Sequence, residues 1–281
     1  MKKEITRLVI FFIIWIFLSI FLIQITFFNM ESNIEEGTYL IPGDRYFDSF
    51  VIMAIYPLVL ILIYFLISPL LALVFLKIHK ILKFNKYNYA ILKREEQKLS
   101  TTTLMWRIVI TSLFTFSMAS LIFLSFIKNP STATRIIGIN TSPEPTFLYI
   151  MILCMLLYPF ILLILAPIWL MQDSCLMTSQ KRFKEGSRGL PDIEGVHVIY
   201  QRFIYGYVGL STIISFILLF TETLAKNPQD IPINIFAPFM LILLFSFPVA
   251  LYDLLFKKSS KIFNKILSKK GILLVNTVAE I

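Results

Sequence analysis

Residues 158–173 read YPFILLILAPIWLMQD, an apolar run interrupted by Pro159 and Pro167 and closed by one acid, Asp173. Two other stretches follow the same plan. Residues 56–77, YPLVLILIYFLISPLLALVFLK, carry Pro57 and Pro69; residues 237–258, APFMLILLFSFPVALYDLLFKK, carry Pro238 and Pro248. Each is long enough to cross a hydrocarbon core of about 30 Å, which takes ~20 apolar residues in a helix. Proline is tolerated in such helices because neighbours can satisfy the carbonyl it leaves unpaired.

The rest of the chain has the same character. Hydrophobic residues make up 57% of the 281, charged residues only 15%, and the mean hydropathy is +0.79. So few polar side chains cannot cover the surface of a soluble domain, and the composition implies an all-α polytopic membrane protein. Six spans are expected, near 8–28, 50–76, 108–127, 147–171, 204–224 and 235–256. Residues 1–256 then form a transmembrane domain, and 257–281 a basic cytoplasmic tail.

A net charge of +9 could suggest nucleic acid, but its placement excludes that partner. Of the 26 Lys and Arg, only Arg45, Lys128, Arg135 and Lys226 fall in the first, third and fifth loops; the others flank the opposite ends of the spans. The positive-inside rule therefore expects both termini in the cytoplasm. It also makes Leu8–Phe28, after Lys2 and Lys3, a retained first span.

The spans group into three hairpins. No odd helix contains proline, while each even helix carries two and enters a basic segment. With Pro69, Pro167 and Pro248 as equivalents, the chain reads as three tandem hairpins in parallel orientation. Mitochondrial carriers share the three-hairpin plan, but their Pro-x-acid-x-x-base motif closes odd helices, so membership does not follow.

Side-chain patterns refine the picture. The third span carries Thr111, Ser112, Thr115, Ser117 and Ser120, residue types that let helices approach closely, and is expected inside the bundle. Gly206 and Gly209 should form a packing notch in the fifth. Ile78, Ile81, Leu82 and Tyr89 recur at helical spacing, as in an interfacial amphipathic helix. In the tail, Ile262, Phe263, Ile266 and Leu267 occupy one face. Lys258, Lys261, Lys265 and Lys269 line the other, and Gly271 can cap the helix. Such a helix is expected to lie on an anionic leaflet.

Ionisable groups inside spans are the usual functional pointer, because burying them is costly. The nearest are Asp173 and Asp253, just beyond Pro167 and Pro248, where a freed carbonyl and a carboxylate could form a polar site. The plain alternative is a pair of boundary residues reaching headgroups. In the fourth loop, Arg188, Asp192, Glu194, His197 and Arg202 could form a polar docking surface among glycines and Pro191.

The enzymatic signatures are missing. His79 and His197 lack ligand-spaced partners, so no metal is expected. Glu95-Glu96 sits in a basic loop, unlike the in-span glutamates of intramembrane glutamic proteases. There is no Gly-x-Ser-x-Gly elbow and no phosphate-cradling glycine motif, so neither catalysis nor a nucleotide cofactor is expected. The expected function is non-enzymatic: a transporter-like or lipid-handling bundle whose proline-bearing even helices line a path for a neutral or apolar substrate. The alternative is a scaffold or assembly subunit, partnered by another membrane subunit or by a second copy. An intramembrane enzyme ranks third.

Overall fold

The computed structural model describes residues 2–30, 55–82, 87–92, 101–128, 146–180, 193–221 and 231–275. Helices dominate: α1 (Lys2–Met30), α2 (Tyr56–Leu82), α3 (Thr101–Lys128), α4 (Thr146–Asp173), α5 (Val196–Leu219) and α6 (Ile231–Lys269). Four segments are long and apolar enough to cross a membrane, in α3, α4, α5 and α6. A fifth results if α2 counts as one span despite a 50° bend between Leu58–Tyr64 and Leu66–Leu82. In α1 the apolar run Ile5–Phe21 is shorter.

The all-α expectation is corrected by a small sheet. Its strands are β1 (Tyr87–Leu92), β2 (Leu176–Gln180), β3 (Glu194–Gly195) and β4 (Leu273–Val275), in the order β3-β2-β1-β4. β1 pairs antiparallel with β2 (Tyr89↔Thr178) and parallel with β4 (Ala90↔Leu273); β2 pairs antiparallel with β3 (Thr178↔Glu194). The amphipathic helix expected to include Tyr89 is likewise corrected. α2 ends at Leu82, and YNYAIL, rich in aromatic and aliphatic side chains, pairs as a strand instead.

Each strand is set by a neighbouring helix end. α4 closes with Cys175 in the left-handed region (φ 49°), where its N–H reaches the Gln172 carbonyl. That turns the chain directly into β2, and the Leu92 N–H holds the corner by bonding the Cys175 carbonyl at 3.1 Å. α6 ends in a Schellman motif: Gly271 (φ 80°) donates to Ser268 and Ile272 donates to Leu267. Ile272 and Leu267 are both buried, the apolar contact that accompanies this cap. The apolar stretch after Gly271 thus begins as β4.

The expected boundary at residue 256 falls inside one helix. No break separates the expected span from the tail: α6 runs 39 residues, roughly 58 Å at 1.5 Å per residue. That is nearly twice the ~30 Å core. Phe263 and Leu267, expected to face lipid, are fully buried in the protein. The apolar face of this helix end is occupied by the chain's own core.

The chain divides into two compact units. Unit 1 is Met1–Ile61, Met105–Ile161 and Tyr207–Leu251; unit 2 is Leu62–Leu104, Leu162–Gly206 and Tyr252–Ile281, which contains the sheet. In unit 1, α3 is central, as its hydroxyls imply. Two-thirds of its span is buried, against 28% for α5. Thr111, Ser112 and Thr115 bond back to the carbonyls of Arg107, Ile108 and Thr111 at 2.7–2.8 Å. Ser117 joins α3 to α5: Ser211 Oγ donates to its hydroxyl and Ser215 Oγ to its carbonyl, both at 3.1 Å. Phe114–Tyr207 and Phe116–Phe216 flank the seam. Gly206 and Gly209 are not the expected notch, since a Cβ on either would meet nothing within 4 Å.

Candidate functional site

Proline builds the most distinctive feature of unit 2. Pro69 has no N–H for the Phe65 carbonyl four residues earlier, and α2 bends at that residue. Ser68 donates its hydroxyl to the neighbouring Tyr64 carbonyl, a back-bond that favours helix bending. The same Oγ lies 3.0 Å from the Tyr252 hydroxyl of α6. The Tyr252 ring meets Trp169 of α4 edge-on, with centroids 6.1 Å apart. Ser68, Trp169 and Tyr252 are all buried. Three even helices therefore converge on one hydroxyl–aromatic node, each within about a turn of Pro69, Pro167 or Pro248 in sequence.

The node carries no charge of its own. Asp253, one residue past Tyr252, is buried, and Asp173 ends α4 half-buried. Of the prolines, Pro57 sits in the first turn of α2, where a missing N–H costs nothing. Pro69, Pro159, Pro167, Pro238 and Pro248 are buried. Among the described residues, the bend beside Pro69 is the one break exceeding 40°.

A second cluster forms where α2 and α5 meet the sheet. His79, buried near the end of α2, places Nδ1 2.9 Å from the Tyr89 hydroxyl on β1. Tyr200 of α5 donates to the Phe75 carbonyl at 2.6 Å and packs edge-on against the Phe75 ring. Lys80 lies 5.0 Å over the Tyr89 ring, a cation–π contact. The Tyr89 phenol is pushed up to about 12, chiefly by burial and then by neighbouring Tyr87, with Thr178 partly opposing. His79 is thus an interior tie between helix and strand. Gln201 donates to Gln172 at 2.9 Å, joining α5 to α4.

No family model, curated protein or solved structure matches this chain. Its chemistry must be read from its own residues.

Of the proposed docking residues, Arg188 and Asp192 lie outside the described residues. Glu194 and Arg202 form an exposed ion pair at 2.8 Å that ties β3 to α5; such a pair stabilises by about 0–1 kcal/mol. His197 folds its ring over Gly195, so close that a Cβ there would lie 2.4 Å from Cε1. In the tail, Lys261, Lys265 and Lys269 are exposed at four-residue spacing along α6, beside exposed Ile262. The Lys258 side chain lies outside the described residues. Among the described residues, no group of three His, Cys, Asp or Glu could hold a metal ion.

Sequence reasoning missed the node. The available signal was a serine immediately before Pro69 in an otherwise apolar run, and a tyrosine one turn after Pro248. The His79–Tyr89 tie left no comparable signal, because its partners come from separate elements.

Proposed function

We propose that this chain is a six-span membrane protein with both termini cytoplasmic, whose even helices line a path for a neutral or apolar substrate. The observation that carries the reading is the node of Ser68, Trp169 and Tyr252, where α2, α4 and α6 meet beside their prolines. A hydroxyl pair and an indole can exchange hydrogen bonds with a passing uncharged group, yet offer no fixed charge to hold an ion. The convergence of even helices also supports treating Pro69, Pro167 and Pro248 as equivalent positions in three tandem hairpins. Asp173 and Asp253 then act as boundary residues rather than a cation site.

The test is transbilayer movement in phosphatidylcholine vesicles containing the purified protein. A lipid with an uncharged headgroup, labelled on its acyl chain, should cross faster than in protein-free vesicles. Ser68→Ala and Tyr252→Phe should slow it. Movement independent of the protein, or unchanged by both substitutions, would remove the reading.

A second reading, a non-catalytic scaffold subunit, has its own observation. β4 is an edge strand whose Leu273 and Leu274 are 71% and 54% exposed, next to exposed Lys269 and Lys270. An edge with apolar side chains and a basic border suits an acidic protein partner. Extraction in mild detergent followed by native mass spectrometry distinguishes the two: a stoichiometric protein partner lost on Leu274→Glu supports the scaffold.

A further inference from the structure

We propose that β4 is a docking edge for an extended, acidic segment of a partner protein, which adds to the four-stranded sheet as a further strand and sets carboxylates against Lys269 and Lys270. The site rests on the scaffold reading above and specifies what that partner presents.

Among the described residues, β4 pairs on one side only, with β1. In a strand paired on one side, alternate residues turn their N–H and C=O outward, a template for another strand. Proteins usually blunt such an edge with charge or proline on the strand itself. β4 is instead Leu273-Leu274-Val275, and the two leucines are exposed. Successive side chains of a strand point to opposite faces, so apolar surface is offered on both faces of the edge. An added strand covers both when it carries apolar residues at successive positions rather than alternate ones.

Charge decides the kind of partner. Residues 254–275 contain six lysines and no Asp or Glu. Lys265, Lys269 and Lys270 are exposed, and among the described residues no carboxylate pairs with them. The cap joins them to the strand through the Gly271–Ser268 and Ile272–Leu267 backbone bonds, so leucines and lysines belong to one local structure. Three residues offer few main-chain bonds. Much of the affinity must therefore come from the leucines and the charges.

Two other occupants fit less well. With Pro238–Leu255 as the span, Lys269 stands fourteen residues beyond it, about 21 Å along the helix. Headgroups extend only about 5–8 Å past the core, and a tilt of 40° still leaves Lys269 about 16 Å out. A leaflet is too far away. A second copy brings leucines, but its residues 254–275 add lysines and no carboxylate.

Photo-crosslinking tests the occupant on the full chain in its native membrane. p-Benzoylphenylalanine in place of Leu274 should give one protein adduct. The cross-linked peptide should carry adjacent apolar residues within a few positions of two or more Asp or Glu. Lys265→Glu, Lys269→Glu and Lys270→Glu together should lower the yield at least about tenfold, since three exposed attractions become repulsions. All four positions are exposed, and unchanged thermal unfolding checks that the variants fold. The same probe at Leu210 of α5, 62% exposed, is the lipid-labelling control. Lipid adducts alone at Leu274, an adduct to a second copy, or a peptide without acids would overturn the proposal. So would a yield indifferent to charge reversal, or no adduct beside a working control.

Strand addition has its own readout. In the purified complex, amides of residues 273–275 should exchange at least about tenfold more slowly than in the protein alone; equal rates overturn it. A stoichiometric partner in native mass spectrometry that never cross-links at Leu274 keeps the scaffold reading and removes this site. No partner by either method removes both.

Discussion

Truncating Phe263 to alanine separates two uses of one amphipathic helix. If the end of α6 lay on a leaflet, Phe263 and Ile262 would be comparable apolar anchors. In the structure Phe263 is fully buried, together with Leu267, while Ile262 is 52% exposed. Phe→Ala at a buried site costs about 3–5 kcal/mol through lost transfer energy and the cavity left behind. That exceeds what a three-residue edge strand and one terminal helical turn can hold by themselves. The expected consequence is local release of residues 264–275.

Hydrogen–deuterium exchange on the protein in detergent reads this directly. Amides such as those of Gly271 and Ile272, bonded to Ser268 and Leu267, should lose at least about two orders of magnitude of protection, since 1.4 kcal/mol is a factor of ten. Trypsin should then cut after Lys265, Lys269 and Lys270. Ile262→Ala, and the triple change Lys261→Gln, Lys265→Gln, Lys269→Gln, should leave protection near its original value. Unchanged exchange in Phe263→Ala, or an Ile262→Ala effect of equal size, would refute the packed-helix account.

Three further predictions come from the same structure. Cys175→Gly should raise thermal stability, by about 1 kcal/mol, because a non-glycine residue in the left-handed region costs about 1–2 kcal/mol and glycine's freer unfolded chain returns part of it; a lower melting temperature would contradict the strained corner. Tyr89→Phe should flatten the alkaline limb of stability. The folded phenol titrates near 12 and the unfolded one near 10, so the stabilisation is complete below about pH 10 and is lost as pH rises through 12. Denaturation followed from pH 9 to 12 checks that sign, and parallel curves for the two proteins would exclude it. Ser117→Val should weaken the α3–α5 seam by about 0.5–1.5 kcal/mol, since it removes the Ser211–Ser117 hydroxyl bond, while Ser211 keeps the Val208 carbonyl, and introduces a β-branched side chain beside Ser215; an unaltered unfolding midpoint would count against that seam.

How much was legible in the sequence depends on where each partner sits. The buried place of α3 could be read because four of its five hydroxyls, Thr111, Ser112, Thr115 and Ser117, satisfy themselves within one turn. The cap at Gly271 was legible for the same reason. The sheet was not. β2, β3 and β4 are five, two and three residues long, too short for a period-two pattern to emerge. β1 was misread because Ile78, Ile81, Leu82 and Tyr89 happen to fall at helical spacing, although Leu82 is the last residue of α2 and Tyr89 belongs to a strand. Strand pairing with residues ninety and nearly two hundred positions away decides the outcome, and no local window contains it.

The tail shows the limit most clearly. Periodicity in KSSKIFNKILSKK identifies which face avoids water, and Phe263 and Leu267 do avoid it. It says nothing about what covers that face, because lipid and a protein core reward the same side chains. The deciding facts lie elsewhere: α6 continues unbroken from Leu255 toward Lys269, and Ile272 closes the cap over Leu267 before β4 pairs with β1. A helix that leaves an apolar span without a break cannot turn its next residues flat onto the membrane surface. Phe263 and Leu267 on its apolar stripe are covered within the unit that contains the sheet. Lys261, Lys265 and Lys269 are then left exposed along the outer side of the helix. Any acidic partner they meet is presented with a fixed row of charges at one-turn intervals.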